Sequence, residues 1–139
     1  MRRTKDHLNS IGLLLLRVGA GALLLFGHGL PKLLHWSERA PRFPNPIGLG
    51  SEVSFSLVVF AEVVCALAVM LGLATRVAAG PVVLFLLVGA LVQNGAAPFD
   101  EKELALIYLV PFATLMLTGA GHYALDTILL RGRAGRRRL

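Results

Sequence analysis

Ile11-Gly-Leu-Leu-Leu-Leu-Arg17-Val-Gly-Ala-Gly-Ala-Leu-Leu-Leu-Phe26 reads as the middle of a membrane-crossing helix, interrupted by one charge. A second run, Phe55-Ser-Leu-Val-Val-Phe-Ala-Glu62-Val-Val-Cys65-Ala-Leu-Ala-Val-Met-Leu-Gly-Leu73, carries a single carboxylate. An ionised side chain deep in a bilayer is costly unless it meets a partner or water, so such groups turn toward the protein interior. Arg17 and Glu62 therefore mark where function is to be sought.

Composition agrees with a membrane setting. The chain has 139 residues, of which 55% are hydrophobic and 16% charged, and its mean hydropathy is +0.70. Typical soluble domains carry about 25% charged residues. Length alone predicts one domain, taken as residues 1–139. The formal charge of +6 does not point to nucleic acid, because the basic residues are not interleaved with aromatics and collect at the chain ends. The tail over 131–139, with Arg131, Arg133, Arg136, Arg137 and Arg138, reads as an anchor near anionic headgroups. Cys65 stands alone, which excludes an internal disulfide and a CxxC redox pair.

Four apolar segments are expected to be helical, over about 11–30, 55–73, 77–92 and 104–120; against the roughly 20 residues a crossing needs, the third is short and the others adequate. Pro111 should kink the fourth. Gly72 and Thr75-Arg76 leave a short connection, so the second and third form a tight hairpin. With both termini inside, Arg2, Arg3, Lys5, Arg76 and the five tail arginines face Lys32, Arg39, Arg42 and Lys102 outside. That asymmetry predicts an all-α, four-transmembrane-helix bundle, N-in and C-in, in the cell inner membrane. The basic start followed by apolar residues resembles a signal peptide, but Arg17 interrupts it and the run continues to Leu30, so it is read as a retained helix. The loop over 33–54, with Trp36, Phe43, Pro41, Pro44 and Pro46, is expected to lie in the interface and cap the outer mouth.

The polar residues fall on defined faces. Arg17 and His28 lie about three helical turns apart on one side, with Gly21 and Lys32 close to the same stripe. If the inner boundary is near Ser10, Arg17 is about 10 Å deep, and Glu62 stands about 16 Å above Leu73. Those depths predict a buried Arg17–Glu62 pair. His28, Lys32, Gln93 and Glu103 fall near the outer helix ends, where they are expected to surround a polar vestibule. Lys32 on its own is expected to snorkel toward the surface.

Three stretches carry a family likeness. They are Arg17-Val-Gly…Phe26-Gly-His28-Gly-Leu-Pro-Lys32-Leu, Phe60-Ala-Glu62-Val…Leu71-Gly-Leu-Ala-Thr75-Arg76, and Lys102-Glu103-Leu-Ala-Leu…Gly119-Ala-Gly121-His-Tyr-Ala-Leu125-Asp126. In order and spacing they resemble the DoxX family of small four-helix membrane proteins, from about Ile11 to Asp126. Ala124 stands where that family usually has serine. The resemblance implies a bundle associated with redox chemistry, including thiosulfate–quinone oxidoreduction and membrane complexes handling oxidative and thiol stress. It carries the family's motif residues onto Arg17, His28, Lys32, Glu62, Glu103 and Asp126.

The candidate ligand pocket from these readings is Arg17, His28, Glu62, Glu103 and Tyr108, with Lys32, Cys65, Gln93 and Asp126 secondary. No metal or haem motif is present, and a quinone is the candidate cofactor. Three functions stay open. The first is a redox-associated subunit, an oxidoreductase component whose pocket takes a quinone or small sulfur compound. The second is a non-catalytic scaffold for a soluble redox enzyme on the cytoplasmic side. The third is a small-solute or proton transporter, which would need a homo-oligomer to make room. The remaining partner is the lipid bilayer.

Overall fold

Pro31 shapes the first helix. Proline has no N–H and crowds the preceding turn, so an α-helix reaching it must open. In the computed structural model, which describes residues 2–129, α1 covers residues 2–34 and opens into a π turn at Leu25–Gly29. There the Leu30 amide reaches back five residues to the Leu25 carbonyl, just before Pro31. The helix then closes at His35.

Three more long helices complete the chain. α2 is Ser51–Leu71, α3 is Thr75–Gln93 and α4 is Phe99–Thr118. Among the described residues there is no strand. α1, α2 and α3 are long and apolar enough to cross a membrane. α4 opens with Asp100, Glu101, Lys102 and Glu103, so its uninterrupted apolar stretch begins only at Leu104. Acidic residues suit that position because the helix dipole is positive there. α4 continues through Pro111. The basic tail over 131–139 lies outside the described residues.

Gly72 sets the hairpin. It takes φ +74°, and the amides of Gly72 and Leu73 return to the carbonyls of Val69 and Ala68. This is the Schellman closure that favours glycine, and it ends α2 two residues before the sequence suggests. α3 begins immediately after it.

The four helices form a ring in which each packs on the next and α4 returns to α1. Leu24 of α1, Val69 of α2, Val82 of α3, and Phe112 and Leu115 of α4 fill the centre. The outward surface is also apolar: Leu23, Leu84, Val110 and Leu117 are each more than 60% exposed. A helix apolar on every side is at home in hydrocarbon rather than water. One end of the ring carries the 35–50 loop, the other the α2–α3 hairpin. At the loop end Trp36 and Phe43 stack edge-on against Phe55, at 5.1 and 5.2 Å between centroids, pinning the loop to α2.

Candidate functional site

The register of α1 against α2 decides which charges meet. Gly29 lies against the Glu62 carbonyl; a Cβ at Gly29 would stand 2.6 Å from that oxygen. Toward the hairpin, Gly21 touches Ala66 and Met70, and further along Arg17 reaches Gly72. The helices run antiparallel, so Glu62 is level with Gly29 and about 18 Å from the height of Arg17, at 1.5 Å per residue.

Glu62 therefore pairs with Lys32, not with Arg17. The Lys32 ammonium donates to both carboxylate oxygens, at 2.6 Å and 2.7 Å. Glu62 is 2% exposed, while the Lys32 side chain is 17% exposed, so the pair opens toward the outside on the lysine side. The expected Arg17–Glu62 bridge is not formed, because assigning each residue a depth from its own helix end put them closer than the packing register does. The expectation that Lys32 snorkels to the surface also fails, since the buried carboxylate holds it inward. A buried carboxylate without such a partner would be costly.

Around the pair stand three aromatic groups. The Phe85 ring of α3 lies 5.6 Å from the Lys32 nitrogen, within cation–π range. His28, one turn before Lys32 on α1, meets Tyr108 of α4 edge-to-face at 5.5 Å. Three of the five primary candidates, His28, Glu62 and Tyr108, thus gather at the loop end with Lys32.

The other candidates are placed elsewhere. Arg17 is 2% exposed and donates to the Tyr123 carbonyl at the hairpin end. Glu103 is exposed near the start of α4, just past its first turn, and forms no ion pair among the described residues. Cys65 is buried in the central core. Asp126 caps the α2–α3 turn, accepting the Ala74 amide at 2.6 Å. Gln93 is exposed on the wall of a lateral cleft of about 440 Å³ between α2, α3 and the loop. Phe43, Ile47, Phe60, Leu84 and Phe85 also line that cleft, and Phe85 connects it to Lys32.

Backbone geometry singles out this end of the bundle. α1, α2 and α3 each contain a π turn, at Leu25–Gly29, Phe60–Cys65 and Val88–Gln93. These turns carry His28, Glu62 and Gln93 respectively. Wide turns of this kind are rare and recur at functional sites. Sequence reasoning missed Phe85, which looks like any core aromatic, and missed the pairing role of Lys32. The one signal for that role was its spacing of four residues from His28 on the same stripe.

The DoxX family model matches residues 12–95. The chain is also 34% identical over 125 residues to a Bacillus subtilis (strain 168) protein named "Putative oxidoreductase CatD", covering 88% of this chain and 90% of that one. No solved structure matches the chain.

Proposed function

The chain belongs to the DoxX family, and we propose that it works as a redox-associated membrane subunit that binds a quinone-like molecule at its loop end. The observation that carries this reading is the Lys32–Glu62 pair seated among three π turns beside an apolar cleft. A quinone has two carbonyl acceptors on a flat ring and an apolar tail. Lys32 and the Tyr108 hydroxyl are the donors for a carbonyl, and the cleft lined by Phe60, Leu84 and Phe85 takes the tail. The name of the Bacillus relative agrees with redox work.

Reduction of a quinone to a quinol adds two electrons and two protons. In this reading Lys32 and Glu62 exchange protons with the bound carbonyl by general acid–base transfer. The two electrons come from an external redox partner that reaches the loop end. In this reading α4 is the fourth span, both termini are cytoplasmic and the membrane is the plasma membrane. Exposed Ile107, Val110 and Leu117 on α4 support the fourth span. The uneven distribution of basic residues supports the orientation.

The test uses Trp36, the single tryptophan, which packs on Phe55 beside the cleft. A short-chain ubiquinone analogue titrated into the protein in lipid nanodiscs should quench Trp36 saturably. Lys32→Met should weaken that binding about tenfold, the effect of losing one charge-assisted hydrogen bond. Equal affinity in both proteins rejects the headgroup assignment. No saturable quenching in either rejects the quinone reading and leaves the scaffold role ahead.

A further inference from the structure

A second recess, of about 280 Å³, opens at the hairpin end between the start of α3 and the segment over 119–127. Thr75, Arg76, Val77, Ala124 and Asp126 line it. Thr75 is 3% exposed, and its hydroxyl has no hydrogen-bond partner among the described residues. Buried hydroxyls are nearly always bonded, so an unmet one beside a recess marks the place of an absent polar group.

The backbone supplies donors at the same point. Thr75 is the first residue of α3, whose early amides lack helical acceptors and carry the positive end of the dipole. The Val77 and Ala78 amides bond the Ala74 carbonyl, and the Ala74 amide bonds Asp126. The amides of Thr75 and Arg76 are the orphans that remain.

Charge points the same way. The Arg76 guanidinium is anchored by a 3.3 Å bond to the Thr118 carbonyl. Behind Gly72 and Ala124 lies Arg17, with Nε and Nη1 unpartnered among the described residues. Among the described residues in and behind the recess, the two arginines Arg17 and Arg76 stand against one carboxylate, that of Asp126, which accepts the Ala74 amide. One positive charge is left over in and behind the recess.

We propose that this recess binds a phosphate-class oxyanion. Its oxygens take the Thr75 hydroxyl, the first-turn amides of α3 and the Arg76 guanidinium. Either a free phosphate or a phospholipid headgroup offers this chemistry. Val77 in the wall and Leu117 beside Thr118, 76% and 75% exposed, give acyl chains a surface to follow.

Native mass spectrometry of the full chain in detergent tests the site with two probes, phosphatidylglycerol and inorganic phosphate. Wild type is compared with Thr75→Val, which keeps the shape and removes the hydroxyl, and with Arg76→Gln. Thermal melting confirms that each variant is folded, and Thr75→Val alone decides if Arg76→Gln is not. Wild type should hold at least one probe, with about tenfold weaker binding in each variant, as loss of one hydrogen bond to a charged group produces. An adduct with phosphatidylglycerol but not phosphate assigns the lipid headgroup, and an adduct with phosphate assigns the free anion. No adduct with either probe, or adducts equal in wild type and variants, overturns the proposal.

Discussion

Glu62 could be recognised as buried from its place in an apolar run, but its partner could not. Two cations stood within reach on the neighbouring helix, Arg17 and Lys32, and the choice between them depends on where Gly29 lets α1 sit against α2. Nothing in either run fixes that sliding coordinate. Arg17 was equally legible as buried, yet its acceptor is the Tyr123 backbone carbonyl, 106 positions along the chain, and a carbonyl leaves no mark on sequence. The observed pair makes a specific energetic prediction. Lys32→Met leaves a buried carboxylate uncompensated and Glu62→Gln leaves an ammonium facing an amide; losing one partner of a buried pair costs about 3–5 kcal/mol. The double variant should cost less than the sum of the two. Chemical or thermal unfolding in detergent of all four proteins measures the coupling, and additive losses would show that the pair is not coupled. Arg17→Met should be additive with Glu62→Gln in the same assay, since the two residues do not touch.

At the scale of the element, helix number and rough position came from apolar runs because burial in hydrocarbon demands them. The ends were set by local chemistry. Gly72, with its positive φ, stops α2 at Leu71, and the acidic first turn lets α4 begin at Phe99 rather than Leu104. The π turns had no comparable signal. Only the one before Pro31 has a visible cause; Phe60–Cys65 and Val88–Gln93 contain no proline, and valine and glycine occur in the chain's regular helices too. Such a turn absorbs one extra residue locally, so removing one should restore regular pitch there, leave the flanking turns on their faces and re-aim only the side chains within the turn, Glu62 among them. Deleting Val63 tests this. The variant should keep its helical content by circular dichroism, yet lose the Lys32–Glu62 contact and bind the quinone analogue at least about tenfold more weakly, as expected when a charged hydrogen-bonding pair is dismantled. Unchanged affinity would mean that the turn in α2 does not serve the site.

For the molecule as a whole, the two charged sites sit at opposite ends of one ring. Lys32–Glu62 lies at the loop end, and Arg17 with Arg76 and Asp126 lies at the hairpin end. Which end faces the cytoplasm therefore determines which site meets soluble partners and which faces away from them. Lysine and arginine retained on the cytoplasmic side set orientation in short-looped membrane proteins. Here Arg2, Arg3, Lys5, Arg76 and the five arginines of the tail belong to the hairpin end if α4 crosses, against Lys32, Arg39, Arg42 and Lys102 at the other. The Lys32 charge is neutralised by Glu62, which strengthens the imbalance. The expected orientation puts the hairpin end in the cytoplasm and opens the quinone cleft toward the outer leaflet. Single-cysteine variants in a Cys65→Ser background check it with a membrane-impermeant maleimide on intact cells. Asn45→Cys in the loop should label from outside, whereas Gly135→Cys in the tail should label only after lysis. Labelling of both from outside would leave α4 as a non-spanning helix, and the reverse pattern would invert the bundle and place the Lys32–Glu62 site within reach of cytoplasmic enzymes.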